Sequence, residues 1–322
     1  MTAQVYKSTG SWYVVKTPDG EVWNARLKGV MKLDGITSTN PIAVGDIVGM
    51  EEEDGQEHTG VITDVKDRRN YINRQSPHNR FQHHIVAANI DQSLLLVTLK
   101  EPRTSQGFID RWLVTCEAYH VPAILIFNKA DLYKKKEEEK FEEWREMYEA
   151  IGYRVIRTST LTGDGMDEVK EVLKEKISLL SGHSGVGKSS FLNVVLPDLS
   201  LKTQGVSGWS GKGMHTTTFA EMFDLPPADP DAPADKLSTG SGGKVIDTPG
   251  MREFGLVNIS RAELSGYFPE MRELAGQCQF NNCLHAEEPG CIVKQYVMEG
   301  KIAEDRYVSY RTIMDSIEDN KY

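Results

Sequence analysis

The eight residues GHSGVGKS, Gly182–Ser189, lie past the middle of a 322-residue chain and match G-x-x-x-x-G-K-[ST] at every fixed position. KISLLS before them reads as a strand, and SSFLNVVL after them as a helix. That is the setting a phosphate-binding loop requires. Its glycines let the backbone wrap until several N–H groups face one set of phosphate oxygens, and the helix N-terminus adds the positive end of its dipole. Gly182, His183, Ser184, Gly185, Val186, Gly187, Lys188, Ser189 and Ser190 are therefore candidate phosphate-binding residues. Lys188 is placed to bridge the β- and γ-phosphates and Ser189 to ligate Mg²⁺. Such a loop usually opens its domain, so the long upstream half needs an account.

From about residue 85 the apolar runs SLLLVTL and PAILIFN are continuous, as in strands buried on both faces of a parallel sheet. Helical patterns alternate with them. Phe108, Ile109, Trp112, Leu113 and Cys116 share one stripe; Phe141, Trp144, Tyr148 and Ile151 share a second; Met166, Val169, Val172 or Leu173, and Ile177 a third. The expectation is a doubly wound α/β domain. Cys116 reads as a buried structural thiol.

NKAD, Asn128–Asp131, follows the second apolar run. A carboxylate at Asp131 can accept two hydrogen bonds, from guanine N1–H and the 2-amino group. Adenine offers no such pair, and a mismatch of that kind discriminates strongly. Asn128 would tie loops together, the Lys129 stem would cover the base, and Ala130 lies between Lys129 and Asp131. TSTLTGDG resembles the loop whose backbone N–H meets guanine O6, with Ser159 at its centre. DTPG, Asp247–Gly250, follows the apolar KVI; Asp247 can hold Mg²⁺ through water, and the Gly250 amide can sense the γ-phosphate. Together the four segments predict a site for GTP and GDP. The base-reading loops precede the phosphate loop, so the domain is circularly permuted, which preserves a site when the old termini were close. The helix near 165–176 would join the old ends.

The segment GWSGKGMHTTTF offers Thr216, Thr217 and Thr218 to Mg²⁺ and the γ-phosphate. Met251 stands where many GTPases carry a water-orienting glutamine. His215 is the nearest replacement, as a catalytic residue or as a residue that shapes its loop. Leu225–Gly243, rich in Pro, Asp, Ser and Gly, reads as an enlarged hairpin tip.

Residues 1–72 hold short alternating segments between turn signals, which predicts a small β-barrel, OB-fold-like or SH3-like. Residues 73–256 form the nucleotide domain, and 257–322 a mostly helical module. In that module CQFNNCLHAEEPGC gives C-x4-C-x-H-x5-C: Cys278, Cys283, His285 and Cys291. Three thiolates and one imidazole fill a tetrahedral zinc site with no position left for water, so one structural Zn²⁺ is expected.

A net charge of −10 argues against broad electrostatic attachment to nucleic acid. The local exception is Lys66–His84, with Arg68, Arg69, Arg74, Arg80, His78, His83 and His84. It is either a solvated linker or a contact to phosphate or RNA. No apolar run approaches the roughly 20 residues that span a bilayer, and the N-terminus lacks a signal-peptide pattern. A cytoplasmic, membrane-free monomer is expected.

The β-barrel, the permuted order of NKAD, GHSGVGKS, HTTT and DTPG, and the C-x4-C-x-H-x5-C knuckle together resemble the RsgA/YjeQ family of circularly permuted GTPases. The resemblance implies a Mg²⁺-dependent GTP hydrolase that acts late in maturation of the 30S ribosomal subunit. It also implies stimulation by that subunit and binding of 16S rRNA through the barrel and zinc modules. It favours Thr217 among the threonines and assigns the catalytic histidine to His215. Relative to the family pattern, Leu225–Gly243 resembles an insertion. Two rival readings are a GTP-binding adaptor with negligible hydrolysis, and an ATP-dependent kinase or transporter ATPase, which NKAD disfavours.

Overall fold

The computed structural model describes residues 1–28, 41–53, 57–75, 83–199, 220–226, 242–248 and 259–317. His215, Thr216–Thr218, Gly250, Met251 and most of the 225–243 segment, read above as an enlarged hairpin tip, lie outside these residues.

Strands β1 (Thr2–Ser8), β2 (Tyr13–Lys16), β3 (Val22–Leu27), β4 (Ile47–Glu52) and β5 (Thr59–Val65) form the N-terminal barrel. The order is β1-β2-β3-β5-β4, and β4 pairs back onto β1. The pair β3–β5 is parallel and the others antiparallel. This closed five-strand connectivity is that of an OB-fold, and it separates the two barrels that periodicity left open. Alternation sends Ala3, Val5, Tyr13, Val15, Trp23, Ala25, Val48, Met50 and Ile62 into one core. A separate hairpin, β6 (Tyr71–Gln75) with β7 (His83–Ala88), leads out of the barrel and sets Arg74 opposite His84.

The second sheet contains β8 (Gln92–Val97), β9 (Ala123–Phe127), β10 (Arg154–Arg157), β11 (Ile177–Gly182), β12 (Glu221–Asp224) and β13 (Lys244–Asp247). Its order is β10-β9-β8-β11-β13-β12, parallel except for β12. Helices α1 (Gln106–Ala118) and α2 (Lys135–Ala150) cover one face; α3 (Met166–Leu173) and α4 (Lys188–Val195) cover the other. The continuous run in β8 explains this two-sided burial: Leu95 and Val97 meet α1 and α2, while Leu94 and Leu96 meet α3 and α4. Ile177 belongs to β11 rather than to the α3 stripe, because the chain leaves the helix after Leu173 and Glu175 turns to φ 56°. β12 also pairs with β1, so barrel and nucleotide sheet are continuous.

The C-terminal module has short α5 (Pro269–Arg272), α6 (Ile292–Met298) and α7 (Glu304–Ser316) around a core of Leu264, Phe268, Met271, Val293, Tyr310, Ile313 and Met314. Val114 of α1 packs into that core. Among the described residues, no helix is long and apolar enough to cross a membrane.

Candidate nucleotide site

Because β8, β9, β10, β11 and β13 are parallel, their C-terminal ends share one edge of the sheet. Gly182 registers with Leu96, Val97 with Phe127, Phe127 with Arg157, and Leu180 with Asp247. The loops leaving those ends converge there, the usual binding place in an open α/β sheet.

Asn128 joins three of them. Fully buried, it donates from Nδ2 to Val186 O of the phosphate loop at 2.9 Å. Its Oδ1 accepts from Thr158 Oγ1 at 3.2 Å and from the Thr160 amide at 3.3 Å. Asp131 is exposed, and its Oδ1 accepts from Ser159 Oγ at 2.6 Å. Ser159 itself is buried and also accepts from the Thr162 amide at 3.2 Å, which folds the 158–165 turn around it. Lys129 takes a left-handed conformation, φ 62°, which throws its side chain across the site. Burial lowers its ammonium pKa, with Glu101 and Asp131 opposing. Ala130 is buried, and its amide bonds Thr158 O at 3.0 Å.

In the phosphate loop, Gly187 has φ 100°, and a Cβ there would lie 2.6 Å from Asn128 Nδ2. Only glycine admits both the backbone conformation and the asparagine. Val186 is buried and anchors the loop, while Ser184 and Gly185 face solvent. The Lys188 ammonium donates to Gly182 O at 2.8 Å and to His183 O at 3.4 Å. Burial lowers its pKa, and the charge of Asp247 opposes that shift. Ser189 and Ser190 are half-buried in the first turn of α4. The His183 ring stacks on Phe108 of α1 at 3.6 Å between centroids, and burial beside Lys188 disfavours its protonation. Asp247 ends β13 and is 4% exposed, close enough to Lys188 for charge to matter. Thr248 ties the following turn back to Leu180 O at 2.9 Å.

Cys278, Cys283, His285 and Cys291 bring their ligand atoms within 4.8 Å of one another. His285 Nδ1 lies 3.5 Å from Cys278 Sγ, 3.5 Å from Cys283 Sγ and 3.4 Å from Cys291 Sγ. A tetrahedral ion with Zn–S of about 2.3 Å and Zn–N of about 2.0–2.1 Å has S···N edges of roughly 3.5 Å. The donor set therefore fits zinc in both chemistry and spacing. Tyr307 and Tyr310 donate to His285 O and Leu284 O at 2.7 and 2.6 Å, and Glu288 accepts from the Leu284 and Ala286 amides at 2.9 and 2.8 Å. The tyrosines, spaced as packing residues, thus also brace the knuckle.

Several of the cations in the basic segment have partners within the protein, among them Lys66, which pairs with Asp64 at 2.7 Å. Arg68 makes a bidentate pair with fully buried Asp46 at 2.7 and 2.6 Å, and Arg69 bonds Asp91 at 2.7 Å. Sequence reasoning missed Thr158 and Thr160 as partners of Asn128, although both stand in the quoted TSTLTGDG region. It also missed the Phe108–His183 stack, which joins helix α1 to the phosphate loop.

The family model described as RsgA GTPase matches residues 65–257, and that of the RsgA N-terminal domain matches residues 2–62. A small ribosomal subunit biogenesis GTPase RsgA from Cytophaga hutchinsonii is 49% identical, across 98% of this chain and 98% of that protein. Its counterpart from Flavobacterium psychrophilum is 46% identical, across 98% of this chain and 93% of that one. The crystal structure of YjeQ from Thermotoga maritima superposes with a TM-score of 0.75 at 33% identity, covering 98% of this chain and 99% of that one. That of YloQ, described as a circularly permuted GTPase, gives 0.72 at 28% identity, covering 100% of this chain and 96% of that one. With a permuted α/β sheet gathering its loops at one edge, an OB-fold before it, and relatives matched along nearly their full length, the chain belongs to the RsgA GTPase family.

Proposed function

We propose that this protein hydrolyses GTP to GDP and phosphate with Mg²⁺, as a factor in late maturation of the small ribosomal subunit, and that the subunit stimulates turnover. The observation that carries the reading is Asn128, whose amide ties the phosphate loop to the 158–160 loop while Asp131 is set by Ser159. That geometry supports one guanine-nucleotide site despite the permuted order of its parts. In this reading Asp131 accepts from the guanine N1–H and 2-amino groups, the Lys129 stem covers the base, and Ala130 and Ser159 close the base pocket. The 182–190 amides hold the phosphates. Gly250 senses the γ-phosphate, and His215 orients the attacking water. Ser189, Thr217 and Asp247 would hold Mg²⁺, which neutralises charge on the β- and γ-phosphates when bound. Cys278, Cys283, His285 and Cys291 would hold one structural zinc. The chain divides into a barrel, 1–72, the nucleotide domain, 73–256, and the zinc module, 257–322. It works as a cytoplasmic monomer, and the barrel and zinc module contact 16S rRNA.

Met251, in the place of a water-orienting glutamine, favours a second reading, an adaptor that binds GTP and scarcely hydrolyses it. GTP turnover, measured alone and with purified 30S or 50S subunits, separates the two. Turnover that rises several-fold with 30S alone is expected, and turnover that stays flat with every subunit supports the adaptor. In calorimetry with Mg²⁺, Asp131→Asn is expected to abolish the preference for GDP over ADP. An unchanged preference refutes the assignment of the base pocket.

A further inference from the structure

The connection from β8 to α1, residues 98–105, matches no nucleotide motif, yet it touches two loops that do. Thr98 and Thr104 are 0% and 1% exposed and staple its ends together. The Thr98 amide donates to Thr104 Oγ1 at 3.1 Å, and the Thr104 amide to Thr98 O at 2.8 Å. Inside the closed loop, Thr98 Oγ1 donates to Pro102 O. The loop holds Glu101 in the left-handed region, φ 50°, and its carbonyl accepts the Lys129 ammonium. The Pro102 ring lies along the phosphate loop, where a Cβ at Gly185 would meet its Cδ at 3.4 Å. In the first turn of α1, Phe108 stacks on His183 of the same phosphate loop.

A long lysine stem lies across a base only if its rotamers are frozen, and freezing them costs entropy that a prepared acceptor offsets. A backbone carbonyl anchors the ammonium at one fixed point, and the charges of Glu101 and Asp131 add to its hold. We propose that the 98–104 loop is an additional element of the nucleotide site. Within it, Thr98 and Thr104 are positioning residues that hold the Glu101 carbonyl as an anchor for Lys129 and thereby set the residence time of guanine nucleotide. The proposal rests on the guanine-nucleotide reading of the site given above.

The test is a double-mutant cycle on the full-length protein, with release of fluorescent mant-GDP followed by stopped flow. Thr104→Val keeps the shape and removes the hydroxyl acceptor, whereas Thr104→Ser keeps the acceptor. With Lys129 present, Thr104→Val is expected to speed release by about fivefold, and in a Lys129→Met background by less than about twofold, a coupling of the size seen for residues in one network. Thr104→Ser is expected to release mant-GDP at the wild-type rate. Equal acceleration in both backgrounds overturns the proposal, as does Thr104→Ser behaving like Thr104→Val. If Thr104→Val does not fold, Thr98→Val, which removes only the bond to Pro102 O, carries the same cycle. Wild-type mant-GDP and mant-ADP run in parallel. Loss of the guanine preference there fells the site reading itself, whereas an intact preference with an additive cycle fells only the role of the loop.

Discussion

Lys188 shows at the scale of one residue how a binding site opposes stability. Its ammonium is sequestered among loop carbonyls, and burial lowers its pKa against the pull of Asp247. A lysine whose folded pKa lies below its unfolded value binds fewer protons in the folded state across that window, so stability rises as pH climbs through it. Lys188→Met removes the buried charge and keeps most of the stem. The nucleotide-free variant is expected to melt above the wild type at pH 7, with the gap narrowing as pH rises toward the ordinary lysine value. GTP turnover is expected to be lost. Melting curves from pH 7 to 10 check both signs. A variant less stable than the wild type at neutral pH contradicts the assignment of strain to this charge.

Among the elements, the Cys278–Cys291 knuckle, proposed above to hold zinc, is short and sits at the edge of the C-terminal core. Its four donors lie within a 14-residue stretch from Cys278 to Cys291, and apart from the two tyrosine braces it leans on side chains of α5 to α7. If it holds zinc as proposed, a module of that size takes its folding energy from the metal. Chelation is expected to release about one zinc per chain, to expose the amides of 278–291 to hydrogen exchange, and to leave GDP affinity within about twofold. Metal analysis with exchange mass spectrometry reads all three, and unchanged exchange after zinc loss refutes a structural role. The clustering of Cys278, Cys283, His285 and Cys291 was legible because they are close in sequence and chemically distinctive. The parallel strands were legible because SLLLVTL buries both of its faces, which only a covered sheet allows. The barrel pairing was not: alternation shows which face a strand buries, but it leaves open that β3 lies parallel beside β5. The 98–104 loop was hidden for another reason. Its threonines act through backbone carbonyls, and a sequence does not mark where a carbonyl points.

At the scale of the molecule, α1 couples two domains. Its first turn meets the phosphate loop through Phe108, and its middle enters the C-terminal core through Val114. Buried Asp110 on the same helix accepts from Arg306 at 2.7 Å and from Tyr148 at 2.8 Å, and Arg306 bonds Glu270 at 2.7 and 3.1 Å. The pair Asp110–Arg306 spans 196 positions, which is why only the helical spacing of α7 was visible beforehand. Arg306→Met leaves two carboxylates without their cation, and a loss of about 3–5 kcal/mol is expected. Denaturant titration measures it, and a loss below about 1 kcal/mol refutes the view that the network holds the module to the nucleotide domain.

The joint at the opposite end has a different character. Lys7 meets Glu221, and Lys16 and Tyr6 meet Asp224, all on β12. That strand is four residues long and begins four positions after Thr217. The barrel therefore grips the nucleotide domain by a short handle just beyond those threonines. Were a large particle to hold the barrel fast, a small tilt between them would work on that handle as on a crank, and docking would be felt in the edge strand of the nucleotide sheet.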